Sequence, residues 1–97
     1  MKKFLFIAVG FKPPTPEVMD AWRQWFASFG DKLVDPGNPL GAGQEVTPAG
    51  TTTLPVDLQA QTGYMIINAA DMDEAVSLAK GCPVVTAMRV YEAMAMP

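Results

Sequence analysis

Two stretches of this chain are apolar on both sides of a strand, and this limits the fold more than any other feature. In residues 3–10, Phe4, Phe6 and Ala8 fall at one parity while Leu5, Ile7 and Val9 fall at the other. Tyr64–Ala69 repeats the pattern. Side chains alternate across a strand, so a strand of this kind is covered on both faces. A sheet built around two of them needs a layer on each side. The 97 residues make one domain, 1–97. Such a domain has a radius of gyration of about 13 Å, enough for one core but not for a deep cavity inside one subunit.

The segments between these strands supply one layer. Pro13, Pro14 and Pro16 end the first strand, Thr15 is an N-cap, and Pro16 suits the first helical position. Val18, Ala21, Trp22, Trp25, Phe26 and Phe29 then recur at helical spacing before Gly30, which predicts a helix over 16–29. Prolines and glycines divide 31–61 into loops, leaving a short strand near 44–48, a turn at Ala49-Gly50 and a partial strand Thr51–Leu54 pairing back. After Tyr64–Ala69, Asp71 caps a second helix with Glu74 in capping-box position. Met72, Ala75, Val76 and Ala79 form its inner stripe, and Lys80-Gly81 and Pro83 end it. Residues 85–93 make a last strand, with Met88 and Val90 opposite Arg89 and Tyr91.

This order, β-α-β, long loop, β-α-β, predicts an α+β fold of the ferredoxin-like, split βαβ type. It is a four-stranded antiparallel sheet with two helices on one face. The economical cover for the other face is a second copy of the sheet, giving a homodimeric α+β barrel joined through the helix-free face.

Composition removes several classes of function. Seven basic against ten acidic residues give a net charge of −3, which argues against binding nucleic acid through phosphate neutralisation. Gly63-Tyr64 lacks the basic residue and the further aromatics of an RNA-binding sheet. There is no histidine, so the commonest general base, the commonest zinc ligand and every Ser-His or Cys-His nucleophile are excluded. The single cysteine, Cys82, closes no internal disulfide, which fits a reducing cytoplasm. It follows a helix C-terminus, where the dipole raises a thiol pKa, and reads as a packed structural residue. Asp71, Asp73 and Glu74 read as helix capping rather than a metal site, and Gly41-Ala42-Gly43 opens onto a strand rather than cradling phosphate. The expectation is therefore neither metal nor cofactor. MKKFLFIAVGF imitates a signal peptide, but prolines stand where a cleavage site belongs, so it reads as a buried first strand. No apolar run reaches the ~18 residues of a membrane span.

Gly63-Tyr64-Met65-Ile66-Ile67-Asn68-Ala69, Asp71-Met72-Asp73-Glu74-Ala75 and Lys80-Gly81-Cys82-Pro83 resemble the YCII-related family of small dimeric α+β barrel proteins. Trp25-Phe26-Ala27, the run from Gly30 to Gly37, and Val46-Thr47-Pro48 before Gly50 extend the resemblance over nearly the whole chain. It implies the barrel fold and, for some members, an enzymatic role built on a His–Asp pair in the barrel cleft. This chain departs there. It has no histidine, helix 1 carries Trp22 and Trp25, and Thr53-Leu54-Pro55-Val56 stands where many relatives read Asp-Gly-Pro-Phe.

With Met65, Ile67 and Ala69 under the helices, Tyr64, Ile66 and Asn68 face the barrel interior, joined by Arg89 and Tyr91. A guanidinium, an amide and two phenols in apolar surroundings fit a small polar or anionic organic ligand. The alternative pairs Arg89 with Glu92 or Glu45 as a structural strut. Trp22 and Trp25 read as core and rim packing. Three functions remain open: a small-molecule-binding barrel, a cofactor-independent enzyme using Arg89, Tyr64 and the loop carboxylate Asp35, and an interaction subunit working through the 36–61 loop.

Overall fold

The computed structural model describes residues 1–97. Strand β1 (Lys2–Val9) leads through the proline cluster to helix α1 (Pro16–Ala27), a 3₁₀ turn (Gly30–Lys32) and a three-residue strand β2 (Leu33–Asp35). Strands β3 (Gly43–Thr47) and β4 (Gly50–Leu54) follow, then β5 (Gln61–Ala69), α2 (Met72–Ala79) and β6 (Ala87–Ala93). The main sheet is antiparallel, in the order β2-β5-β1-β6. This is the expected four-stranded, ferredoxin-like arrangement, with the two doubly apolar strands side by side at its centre.

Both helix starts form as their sequences dictate. Thr15 Oγ1 accepts the Val18 amide at 3.3 Å with Pro16 in the first turn. Asp71 Oδ1 accepts the Glu74 amide at 2.8 Å, and Glu74 Oε1 reaches back to the Ala70 amide at 3.2 Å. Helix α1 ends two residues short of the expected 29, and Phe29 begins the tighter turn that carries the chain into β2.

The core lies between sheet and helices. Phe4, Phe6, Met65, Ile67 and Ala69 from the central strands meet Trp25 of α1, Phe29 just beyond it, and Ala75 and Ala79 of α2. Trp25 stacks edge-on against Phe29 at 4.7 Å between ring centroids and donates its indole N–H to the Leu78 carbonyl, tying the two helices together. Met88 and Val90 pack at the margin of this cluster, as their parity requires.

The middle of the chain corrects the sequence reading. The second strand of the sheet is Leu33–Asp35, not the segment near 44–48. Residues 43–54 do form the expected hairpin, Gly43 opposite Leu54 and Thr47 opposite Gly50, but β3 and β4 pair only with each other. Every residue of that hairpin beyond Gly43 is exposed. A radius of gyration of 14.5 Å, against about 13 Å for a compact chain of this length, fits a hairpin standing off the body. A second correction concerns α2. Met72 and Val76 are exposed, and Leu78 takes their place against the core.

Candidate functional site

Three structural devices build one end of the sheet. The first is a β-bulge: Ala8 pairs with Gly63 and Val9 with Gln61, so Thr62 is the extra residue of β5. Its hydroxyl sits 3.3 Å from the Gly10 carbonyl. Val9, which parity would leave on the helix-free face, is buried at this bulge. The second device is Gly10, with φ +107°, packed so closely on Thr86 that a Cβ would lie 2.4 Å from its hydroxyl. The third is the loop 36–39, folded over β5. Gly37 has φ +67°, and a Cβ there would lie 1.8 Å from the Tyr64 carbonyl oxygen. Only glycine satisfies both the backbone angle and the contact.

These segments enclose one side of an open cleft of 760 Å³ between the sheet end and the first turns of α1. Its walls are mainly apolar: Val18, Met19, Trp22 and Phe26 of α1 face Ala8, Met65 and Met88 of the sheet. Five of the nine prolines, Pro13, Pro14, Pro36, Pro39 and Pro83, line it. Fixed φ angles make those loops stiff, so the cleft is largely formed before anything enters it.

The polar inventory is short and points one way. Lys12 is the one charged residue of the lining. Thr15 is used as an N-cap, and Thr62 lies against main-chain carbonyls. Asn38 donates its side-chain N–H to the Tyr64 hydroxyl oxygen at 3.2 Å, which leaves the phenolic proton free to be donated. Lys12 and Tyr64 are thus the lining residues with a donor to offer a carbonyl, phenolate or carboxylate oxygen, Tyr64 from a strand position at the helix-free parity. No carboxylate lines the cleft.

The residues proposed from sequence are divided by the fold. Tyr64, Asn68, Arg89 and Tyr91 all lie on the helix-free face. Tyr64 and Arg89 flank Ile7, Tyr91 and Ile66 flank Leu5, and Asn68 pairs with Lys3. Of these, Tyr64 alone also lines the cleft. Arg89 is exposed and makes no ion pair within the chain. Glu92 sits at the opposite parity and pairs with Lys2 at 3.7 Å, so it is not the strut for Arg89. Asp35 ends β2 and accepts the Gly37 amide at 2.7 Å, which holds the 36–39 loop rather than facing the cleft. Sequence reasoning missed Lys12, Asn38 and the cleft-facing role of Trp22. The proline cluster around Lys12 was the available signal, because it stiffens a loop beside an apolar helix.

Cys82 packs half-buried against the core. Burial pushes its thiol pKa up, while backbone hydrogen bonds at Val84 and at Cys82 itself pull the other way. Desolvation, more than the helix terminus invoked from sequence, is the leading cause.

The whole chain resembles a solved structure. The 5-chloro-2-hydroxyhydroquinone dehydrochlorinase TftG from Burkholderia phenoliruptrix AC1100, in complex with 2,5-dihydroxybenzoquinone, superposes with a TM-score of 0.59 over 95% of this chain and 93% of that one. Identity is 20%. The likeness is one of fold. No family model matches the sequence, and no curated protein does.

Proposed function

We propose that this chain is a single-domain, YCII-like barrel protein that forms a cytoplasmic homodimer and binds a small polar or anionic organic molecule without histidine chemistry. The observation that carries the binding reading is the apolar cleft whose lining holds one charged residue, Lys12, and no carboxylate, with Tyr64 also in its lining. A solved protein of the same fold holds a dihydroxybenzoquinone, which supports the same class of occupant. Dimerisation is supported by the sheet face opposite the helices. Leu5, Ile7 and Ile66 run across its centre with no layer of this chain above them.

A panel of small organic acids and phenols, tested by thermal shift and calorimetry, examines the binding reading. A hit should bind saturably and lose about tenfold in affinity in Tyr64→Phe, the cost of one hydrogen bond to an oxygen anion. Equal binding by wild type and Tyr64→Phe, or no binding across the panel, would sink it.

A second reading rests on Arg89, which has no carboxylate partner within the chain. Beneath a partner sheet its guanidinium needs an anion, with Tyr64, Asn68 and Tyr91 beside it. In this reading the ligand sits between the sheets, and Arg89→Met abolishes binding that Lys12→Met leaves intact. An enzymatic variant of either reading is recognised by chemical change in the bound molecule, with Asp35 and Tyr64 as the groups to replace. The remaining alternative, a protein-interaction subunit, is recognised when changes in the 36–61 loop, and not in the cleft, remove function.

A further inference from the structure

The walls of the cleft define its occupant more narrowly than the donors do. Trp22 is half-buried, projects from α1 onto the cleft and packs against Phe26 at 6.0 Å and against Trp25 at 5.4 Å between centroids. The T-shaped contact with the buried Trp25 fixes the indole from behind, and Trp25 is itself anchored to the Leu78 carbonyl. Phe11 adds a third ring. It lies in the rigid loop next to Lys12, is 42% exposed and is held by its amide to the Asp57 carbonyl at 2.8 Å. Aromatic rings held by their packing on the core and lining the cleft, with stiff proline walls around them, favour a flat guest over a puckered one.

Building on the cleft reading above, we infer that the cleft selects a planar aromatic or quinoid ring carrying a phenolic or carboxylate oxygen. The ring lies against Trp22 and Phe26, and the oxygen meets Tyr64 and Lys12. Trp22 is the specificity-determining residue, and Lys12 and Tyr64 supply affinity for the oxygen without regard to ring shape.

The test compares para-hydroxybenzoate with its ring-saturated counterpart, hydroxycyclohexanecarboxylate, which has the same oxygens on a puckered frame. Calorimetry on the wild-type protein should give about fivefold tighter binding of the aromatic acid, the size of one good aromatic contact. Binding should quench tryptophan fluorescence. Trp22→Leu should bring the two affinities together, Trp22→Phe should keep most of the preference, and Lys12→Met should weaken both acids alike. The phenylalanine variant guards against a folding defect, since it retains a ring against Trp25. Equal affinity of the wild type for the two acids, or an aromatic preference that survives Trp22→Leu, overturns this inference and leaves the cleft reading standing. Absence of binding by either acid at millimolar concentration overturns both.

Discussion

Gly37 joins backbone conformation directly to the site. Its positive φ and its contact with the Tyr64 carbonyl set the path of the 36–39 loop, and that path puts Asn38 within reach of the Tyr64 hydroxyl. Gly37→Ala should therefore cost about 3 kcal/mol in chemical denaturation, combining a strained φ with a steric clash. An unchanged midpoint would contradict the close approach. Cys82 gives a prediction in pH. Its folded pKa is raised by burial, so the stability due to the neutral buried thiol is complete below the ordinary thiol value of the unfolded chain. That stability is lost as pH rises toward the higher folded value. Denaturation midpoints should fall on the alkaline side in the wild type and stay flatter in Cys82→Ala. The same burial makes the thiol slow toward disulfide reagents until the protein unfolds. At this scale the caps Thr15 and Asp71 were legible in the sequence because their partners lie three residues away. Asn38 was not, since its partner Tyr64 is twenty-six positions on and only the fold joins them.

Among the elements, legibility followed length and periodicity. Helix α1 announces itself through five apolar residues at helical spacing, with Phe29 continuing the period just beyond it, and both central strands through their apolar runs. The three residues of β2 carry no period and stand between Gly30 and Pro36-Gly37, so nothing local marks them. Only pairing with Ile67 and Ile66 of β5 makes them a strand. The stripe of α2 was misjudged for a related reason: over eight residues two adjacent helical faces compete, and contact with α1 through Leu78 decides between them. Thr15→Ala and Asp71→Ala should each lower stability by about 1 kcal/mol, read from urea midpoints. The hairpin of β3 and β4 is the opposite case, an element whose removal should cost the body little. Replacing 43–54 by two glycines should leave the far-UV spectrum and the melting temperature of the remainder nearly unchanged, because Gly43 and Leu54 already lie opposite each other. Collapse of the fold in that variant would show that the hairpin packs on the body.

The molecule as a whole is a slab, 43 × 40 × 19 Å, whose short dimension fits one sheet and one helix layer at about 10 Å each. Only 11 of 97 residues are buried, a small core for a chain of this length, and the helix-free face still carries Leu5, Ile7 and Ile66. The two-sided apolar pattern read from sequence thus meets a structure that covers one side, and we propose that a second copy covers the other. A carboxylate in the middle of that face would be trapped in apolar surroundings, so Ile7→Glu should split the dimer while leaving the helix-side core untouched. The helix-side cleft should then keep some affinity in the separated chains, whereas a site at Arg89 between the sheets should lose all of it. The most direct measurement is the solution mass by light scattering at micromolar concentration. Twice the chain mass of 10.4 kDa for the wild type, falling to 10.4 kDa in Ile7→Glu, is the predicted result, and a stable wild-type monomer at that concentration would contradict the account.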